Sequence, residues 1–587
     1  MQSAQSDRGH VRARSELAAA LVACRGAFVG TALISGMSNV LMLTGAMFML
    51  EIYDRVLPSR SMPTLIGLLI LAAGMFAALG LLDAIRGRIL VRIGGAMDEI
   101  LSGRVYDTLV RLPLRLGGRN DASQPLRDLD AIRSYLSGLG PVALFDLPWI
   151  PLYLAICFAF HPLIGLTALG GAIILVVLTL LTEILMRAPT MAATEAAVVR
   201  NGLAEASRRN AEAVVAMGMA GHLAAQWGEA NRRYMDNQRQ ASDVGGGLGA
   251  IAKVLRMLLQ SAVLAVGAYL VIHQEASAGV IIAGSILSAR ALAPVDLAIA
   301  HWKGFTAARQ ARQRLNRLLA ALPARMAPME LQPPVHRLTI ESVSAAPPGV
   351  PRIVVQDIGF TLEAGQGLGI VGPSGSGKSS LARLLVGVWQ PVRGSVRLDG
   401  AALDQWLPDT LGRHIGYLPQ DIELLTGTVA QNIARFEPEP DNEAVIAAAK
   451  AVGVHDMIVR LPSGYETPVG EQGSALSVGQ AQRIALARAV YRDPFLVVLD
   501  EPDSHLDSES DEALTCAILG VRERKGVVVV IAHRPSAIAG VDRILILNQG
   551  RVQALGPKGE ILPNILQRSA APLRPLKVVP DTGSAST

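Results

Sequence analysis

Charged residues are scarce in this 587-residue chain, at 18% of the sequence, whereas a soluble globular protein carries about 25%. Hydrophobic residues make up 51%. This deficit of charge excludes a disordered protein and a protein that coats nucleic acid, and it indicates a membrane protein. The net charge of +5 is small for this length, so we interpret it through membrane topology.

Cysteine is also rare, with three residues, Cys24, Cys157 and Cys516, far apart in the sequence. Their spacing excludes a disulfide framework and a metal site and favours buried thiols. A cleavable signal peptide is not predicted, because the first apolar run is too long and no small-residue cleavage pattern accompanies it. Because only about 25 residues precede that run, we expect no further N-terminal domain.

Apolar stretches of about 20 residues, the length of a spanning helix, dominate the first half of the chain. The uncharged run Leu147–Thr182 is too long for one helix, and His161-Pro162 divides it. The last two stretches are weaker, because charged residues lie at or inside their edges. The six predicted spans lie near 26–50, 61–82, 142–160, 163–185, 254–273 and 278–300.

The distribution of basic residues predicts the orientation of these spans. With a cytoplasmic N-terminus, twenty-one basic residues lie on the cytoplasmic side and two, Arg55 and Arg60, on the other. Both termini and both long loops are therefore predicted to be cytoplasmic. The loops are either ordinary soluble loops or long helical extensions that end in short turns near Asp121–Pro125 and Val214–His222.

A change of composition after Pro323, to a polar and proline-rich segment, predicts a linker. Beyond it, alternating strand and helix patterns predict an α/β domain. The expected fold class is an α-helical membrane domain of six spans joined to an α/β P-loop NTPase domain. The predicted segments are a cytoplasmic N-terminal segment 1–25, a transmembrane domain 26–318, a linker 319–335, a nucleotide-binding domain 336–568 and a disordered tail 569–587.

The segment Gly372–Ser379 matches the Walker A pattern at every specified position. It follows an apolar strand, Gly367–Val371, and opens a helix, which is the context in which backbone N–H groups and a helix N-terminus bind phosphate. Lys378 supplies a cation for the β- and γ-phosphates, and Ser379 is expected to bind Mg²⁺. The predicted ATP-binding residues here are Gly372, Ser374, Gly375, Ser376, Gly377, Lys378, Ser379 and Ser380.

The apolar strand Phe495–Leu499 runs into two carboxylates, Asp500 and Glu501, as in a Walker B motif. Asp500 is expected to hold Mg²⁺, and Glu501 to act as general base on the attacking water. Alone, such a pair could be two surface acids; the Walker A motif upstream favours the catalytic interpretation.

Further motifs resemble those of the ATP-binding cassette (ABC) family. Leu476–Gln480 (LSVGQ) resembles the signature motif, Gln420 the Q-loop glutamine, Ser504–Asp507 the D-loop and His533 the switch histidine. The resemblance implies catalytic roles for Gln420 and His533, a Mg²⁺ contact for Gln420, and nucleotide contacts for Ser477, Gly479, Gln480 and Asp507.

The same resemblance implies that two cassettes pair head to tail. Ser477 and Gly479 of one copy then reach the γ-phosphate held by Lys378 of the other. With one cassette and six spans in the chain, we expect a homodimer with two composite ATP sites.

Two positions depart from the family pattern. Val478 stands where the family has glycine, and its β-branch narrows the backbone space. The segment Val343–Gly349 lacks the aromatic residue that often stacks on adenine, so aliphatic packing is expected, with Ile353 as a candidate.

Four segments resemble the ATPases of type I secretion systems, in particular the PrtD branch: Glu51–Ser59, Leu144–Tyr153, Leu398–Ala401 and Ile415–Asp421. The resemblance implies export of proteins with C-terminal signals across the inner membrane, with a periplasmic adaptor and an outer-membrane channel as partners. The alternatives are a lipid or small-molecule exporter of the same architecture and a non-transporting ATP-sensing scaffold.

Three of the charged residues in the predicted spans are candidates for a role in transport. Asp146 is either a carboxylate on the substrate path or a structural residue that pairs with an arginine such as Arg133. Arg290 and Asp296 have the same two interpretations.

Overall fold

In a computed structural model, residues 16–116, 124–322, 331–470, 473–504, 508–532, 534 and 536–561 are described. The chain divides into two compact units, 1–113 with 119–324, and 114–118 with 325–587. His533, Asp507 and the predicted tail 569–587 lie outside the described residues.

The first unit is helical because its sequence is apolar over long stretches with few helix breakers. Its described part contains six helices that are long and apolar enough to cross a membrane, the number that the sequence predicts. The α-helical segments described in this unit are α1 (Glu16–Ala23), α2 (Arg25–Leu41), α3 (Thr44–Glu51), α4 (Leu57–Ser59), α5 (Met62–Leu116), α6 (Gln124–Ser137), α7 (Gly140–Asp146), α8 (Ile150–Phe160), α9 (Pro162–Arg209), α10 (Ala211–Ala216), α11 (Ala220–Ile272) and α12 (Ala278–Ala321). Of the six candidate spans, the first consists of α2 to α4 and the third of α7 and α8; the others are α5, α9, α11 and α12.

Four of these helices are much longer than a bilayer requires, including α12 with 44 residues. Helix α5 has 55 residues, about 80 Å at 1.5 Å per residue, against a hydrocarbon core of about 30 Å. Helices α9 and α11 have 48 and 53 residues. The long loops are therefore helical extensions. The turn between α9 and α11 consists of the short α10, which overlaps the predicted region Val214–His222, and residues 217–219, which lie inside it. His161, in extended backbone, separates α8 from α9.

Asp146 pairs with Arg86, so the suggested partner Arg133 is wrong. Asp146 Oδ1 lies 3.3 Å from Arg86 Nη1 and accepts a hydrogen bond of 2.9 Å from Asn39 Nδ2. Arg133 lies instead beside Asp98 and Asp130. The buried network joins three helices, α2, α5 and α7, which meet at this point.

The remaining charged residues of the last spans differ in their surroundings. Asp296 pairs with Arg256 of α11, which favours the structural interpretation for Asp296. Arg290 is exposed on α12 in the single chain, and both interpretations of this residue stay predictions.

The second unit contains two sheets. A four-stranded antiparallel sheet has the order β2-β1-β4-β5, and a six-stranded sheet has the order β10-β9-β3-β8-β7-β6, parallel except for β10. The elements are β1 (Arg337–Ala345), β2 (Val355–Glu363), β3 (Gly367–Val371), α13 (Lys378–Leu385), β4 (Arg393–Leu398), β5 (Ala401–Ala402), α14 (Pro408–His414), β6 (Ile415–Leu418), α15 (Val429–Ile433), α16 (Asn442–Ala451), α17 (His455–Val459), α18 (Val478–Val490), β7 (Leu496–Asp500), α19 (Ser508–Glu523), β8 (Val527–Ile531), β9 (Arg543–Asn548) and β10 (Arg551–Pro557).

The centre of the larger sheet is fully buried, which explains why β7 and β8 are nearly all Val, Leu and Ile. Its parallel strands bring the carboxyl ends of β3, β7 and β6 to one edge.

The prediction of buried cysteines is correct for Cys157, but Cys24 is half-buried and Cys516 is exposed on α19.

Candidate nucleotide-binding site

The loop 372–377 connects β3 to α13 in a conformation that requires glycine. Gly375 and Gly377 have φ of +76° and +99°, a region that residues with a Cβ rarely adopt. A Cβ on Gly372 would lie 2.1 Å from the carbonyl oxygen of Leu547. The loop therefore wraps tightly over the end of the sheet, and the N-terminus of α13 follows directly. Ser374 and Gly375 are exposed at its tip, and Ser380 lies in the first turn of α13.

Lys378 is held against this loop. Its side chain is buried, and Nζ donates hydrogen bonds to the carbonyl oxygens of Gly372 at 2.9 Å and Pro373 at 3.1 Å. Burial lowers the pKa of Lys378, while the carboxylates of Glu501 and Asp500 act in the opposite direction. A cation is thus positioned at the loop and close to the two acids of the Walker B segment.

Asp500 and Ser379 together fit a divalent cation. Asp500 Oδ1 accepts a hydrogen bond of 3.2 Å from Ser379 Oγ. Asp500 Oδ2 is buried and has no hydrogen-bond partner among the described residues, which is costly unless a ligand supplies one. Burial raises the pKa of Asp500 to about 6. Hydroxyl and carboxylate oxygens are the ligands that Mg²⁺ prefers, so this donor set suits Mg²⁺.

The raised pKa of Asp500 predicts that Mg·ATP binding weakens as the pH falls through about 6. Burial favours the neutral form of Asp500. The protonated carboxyl therefore stabilises the nucleotide-free domain in acid, and this stabilisation is lost as the pH rises through about 6. Mg²⁺ requires the charged form, and protons therefore compete with it. We expect the affinity for Mg·ATP to fall by up to about tenfold per pH unit below this pKa.

This prediction is checked by titrating Mg·ATP binding, with Mg²⁺ in excess over ATP, above and below pH 6. Asp500→Asn is the control, because it has no titrating carboxyl at this position but leaves protonation of the nucleotide unchanged. An equal loss of affinity in both proteins would show that Asp500 does not bind the cation.

Glu501 is placed by β7 and contacts Gln420. Its φ is +52°, and its backbone N–H donates to the Ile531 carbonyl at 2.9 Å. Gln420 Nε2 donates a hydrogen bond of 3.1 Å to Glu501 Oε2. Because β6 and β7 are adjacent and parallel, Gln420, two residues beyond β6, meets the acid at the end of β7. This contact orients the carboxylate expected to act as base.

The signature residues form the N-terminus of α18. Ser477 is the N-cap: its Oγ accepts from the Gln480 N–H at 3.3 Å, and its own N–H donates to Gln480 Oε1 at 2.9 Å. This is a capping box, which stabilises the start of a helix. Ser477 is exposed, and Val478 is 63% exposed, so the β-branched side chain faces solvent without disturbing the helix.

Gln482 is a site residue that the sequence analysis missed. It is buried, and Nε2 donates to the Pro502 carbonyl at 2.6 Å and to Ser504 Oγ at 3.3 Å. It thereby fastens α18 to the segment after Glu501. A signal was present, since Gln482 stands on the same buried helix face as Ala485, Leu486 and Ala489, where a polar residue needs a partner.

Comparisons with known proteins agree with this geometry. A family model for the ABC transporter transmembrane region matches residues 29–295, and a second ABC transporter model matches 355–504. The chain is 58% identical over 550 residues to the type I secretion system ATP-binding protein PrsD of Rhizobium meliloti (strain 1021), with 94% of each chain covered. The chain belongs to the type I secretion ATP-binding proteins, a group of ABC transporters.

Other relatives of this ABC transporter fit the same assignment. The leukotoxin translocation ATP-binding protein LktB of Mannheimia haemolytica is 29% identical over 558 residues, covering 93% of this chain and 77% of that protein. A bacterial Atm1-family ABC exporter structure with ATP bound has a TM-score of 0.79 at 24% identity, covering 94% of this chain and 100% of that one. This last likeness concerns the fold. The predicted fold class is confirmed: the chain is a multi-pass membrane protein with a nucleotide-binding ATPase domain.

Proposed function

We propose that this ABC transporter is the ATP-hydrolysing permease of a type I secretion system and exports proteins with C-terminal signals across the inner membrane. The observation that carries the proposal is the 58% identity to PrsD over 94% of both chains. LktB, whose name describes leukotoxin translocation, also points to a protein cargo. A periplasmic adaptor and an outer-membrane channel would complete the export path.

The distribution of basic residues supports an inner-membrane protein with a cytoplasmic nucleotide-binding domain. The N-terminal segment and the two helical extensions carry twenty-one basic residues, and the opposite side carries two, Arg55 and Arg60. We assign residues 26–318 to the transmembrane domain and 336–568 to the nucleotide-binding domain. The six apolar helices of the first unit would supply one half of the pathway, and a second copy the other half.

The geometry of the site supports ATP hydrolysis by in-line attack of water. The loop 372–377 and Lys378 would bind the β- and γ-phosphates. Ser379, Asp500 and Gln420 would hold Mg²⁺, which neutralises charge that develops on the phosphates. Glu501 Oε2 or its partner oxygen would accept the proton of the attacking water, and Gln420 orients Glu501 through the 3.1 Å hydrogen bond.

The signature residues support a homodimer with composite sites. Helix α18 has 13 residues, and Ser477 lies exposed at its N-terminus. The positive end of such a helix suits an anion, here the γ-phosphate bound to the second copy. In this arrangement Ser477, Gly479, Gln480 and Asp507 contact the nucleotide across the dimer, and His533 acts with Glu501 at the γ-phosphate.

The proposal is tested by comparing the proteins secreted by the wild-type cell and by a strain whose only copy carries Lys378→Ala. Proteins that disappear from the medium are candidate cargo, and the C-terminal segment of each is then fused to a reporter. We expect the fusion to be exported by the wild-type protein and retained by the variant, and the purified segment to change the ATPase rate of the transporter in nanodiscs.

The two alternatives predict different outcomes. A lipid or small-molecule exporter would leave the secreted proteins unchanged and respond to lipids or amphiphiles instead of the C-terminal segment. An ATP-sensing scaffold would support secretion even when hydrolysis is abolished.

A further inference from the structure

The C-terminal end of the signature helix α18 lies in backbone contact with β6, the strand that leads to Gln420. A Cβ on Gly416 in β6 would lie 1.9 Å from the carbonyl oxygen of Ala489 in the last turn of α18. No other residue fits at this position without displacing one of the two backbones. The helix and the strand are therefore closely fitted at this point.

Arg435 joins α18 to β6 and to α14, the helix directly before β6, through four backbone carbonyls. Its Nε and Nη2 donate to the carbonyls of Arg488 at 3.0 Å and Ala489 at 3.3 Å, in the last turn of α18. Its Nη1 donates to Gly412 at 2.6 Å and to Ile415, the first residue of β6, at 3.1 Å. Carbonyls in the last turn of a helix have no intrahelical partner, and a cation there is favourable.

A second arginine ties α18 to the other side of Gln420. Arg488, in α18 itself, places both Nη1 and Nη2 at 3.4 Å from the carbonyl oxygen of Glu423, three residues after Gln420. Burial lowers the pKa of Arg435 to about 10, so Arg435 remains charged at neutral pH, and burial also lowers the pKa of Arg488. Two half-buried guanidinium groups thus bind backbone carbonyls on either side of Gln420 in the sequence.

We propose that Arg435 and Arg488 are positioning residues that couple the signature helix to Gln420, so that contact of Ser477 with the nucleotide of the second copy sets the position of Gln420 in the chain's own site. Helix α18 spans about 20 Å and transmits a displacement as a rigid element. The path then continues through Arg435 and Arg488 to Gln420, and from Gln420 to Glu501. It rests on the proposed homodimer, in which the two ends of α18 serve different ATP sites.

The domain also contains an arginine, Arg522, that binds backbone carbonyls but is not described in contact with α18 or the Q-loop. Arg522 Nε donates to the Gly365 carbonyl at 3.0 Å and Nη1 to the Gly540 carbonyl at 2.6 Å. It also bridges separate elements, but neither α18 nor the Q-loop is among the partners described for it. Arg522→Lys is therefore a matched control for the loss of backbone hydrogen bonds by an arginine.

The experiment uses the full-length protein in nanodiscs and compares Arg435→Lys with Arg522→Lys. We expect Arg435→Lys to lower kcat of ATP hydrolysis about tenfold or more with KM within about twofold, because binding persists while Gln420 is misplaced. The Hill coefficient for ATP should fall from above 1 to about 1. Arg522→Lys should leave kcat and the Hill coefficient at wild-type values. Equal Hill coefficients in wild type and Arg435→Lys would overturn the proposal.

A double-mutant cycle with Gln420→Ala identifies the route. If Arg435 acts through Gln420, Arg435→Lys lowers kcat no further in the Gln420→Ala background. Independent, multiplying losses would overturn the proposal. Should Arg435→Lys not yield folded protein, Arg488→Lys enters the same cycle with the same expectation. These measurements of ATP hydrolysis require no cargo. They can therefore contradict the coupling through Arg435 while protein export is verified, or support the coupling while protein export is not found.

Discussion

Replacing Glu501 with glutamine is expected to lower kcat of ATP hydrolysis about 10²–10⁴-fold while ATP still binds. The amide keeps the size of the side chain and an oxygen that can accept from Gln420, which lies 3.1 Å away in the native protein. It cannot accept the proton of the attacking water. The protein should therefore accumulate with ATP bound, and added Mg·ATP should raise its thermal stability as it does that of the wild type.

The measurement is phosphate release together with the nucleotide recovered from the purified protein. Glu523→Gln, at an exposed position at the end of α19, is the control for removing a carboxylate from the same domain. A rate near that of the wild type would remove Glu501 from the role of general base. Export that continues with hydrolysis abolished would favour the scaffold hypothesis over transport.

The sequence could predict the site residues whose conformation is set by a few neighbouring residues of the chain. The glycines of loop 372–377 are required by positive φ and by close contact with Leu547, and a short motif records such requirements directly. The capping box of Ser477 and Gln480 is local in the same way. The contact of Gln420 with Glu501 cannot be predicted from such local patterns, because it requires β6 to lie beside β7. The pattern of strands along the sequence does not specify this order.

Contacts that join distant parts of the chain were the ones that the sequence could not predict. Apolar runs indicate that helices span the membrane, but not how each helix is rotated toward its neighbours. The partner of Asp146 is therefore Arg86, 60 residues away, and not the nearer Arg133. Arg435 reaches carbonyls 20 to 54 residues away, and nothing in its local sequence marks it as a link to α18.

The buried pair of Arg86 and Asp146 is expected to be essential for the stability of the first unit. Their side chains are 9% and 11% exposed. Arg86 Nη1 also donates to Ser35 Oγ at 3.1 Å, and Nη2 lies 2.8 Å from Asp83 Oδ1. Tyr153 and Asn39 extend the network from Asp146. Removing Asp146 leaves Arg86 with Asp83 as its ion-pair partner, and the Asp83 side chain is 41% exposed. Breaking a buried pair in this way costs up to about 3–5 kcal/mol.

We therefore expect Asp146→Leu to lower the free energy of unfolding in detergent by up to about 3–5 kcal/mol and to reduce the yield of folded protein. Arg86→Met/Asp146→Leu, which removes both charges, should recover much of the loss, because an apolar pair needs no compensation. Arg133→Met is the control: its pair with Asp98 is partly exposed, at 45% and 31%, and such pairs contribute about 0–1 kcal/mol. If the single and double variants are equally unstable, the charge of Arg86 is not what Asp146 compensates, and Asp146 stabilises the helices through Asn39 alone.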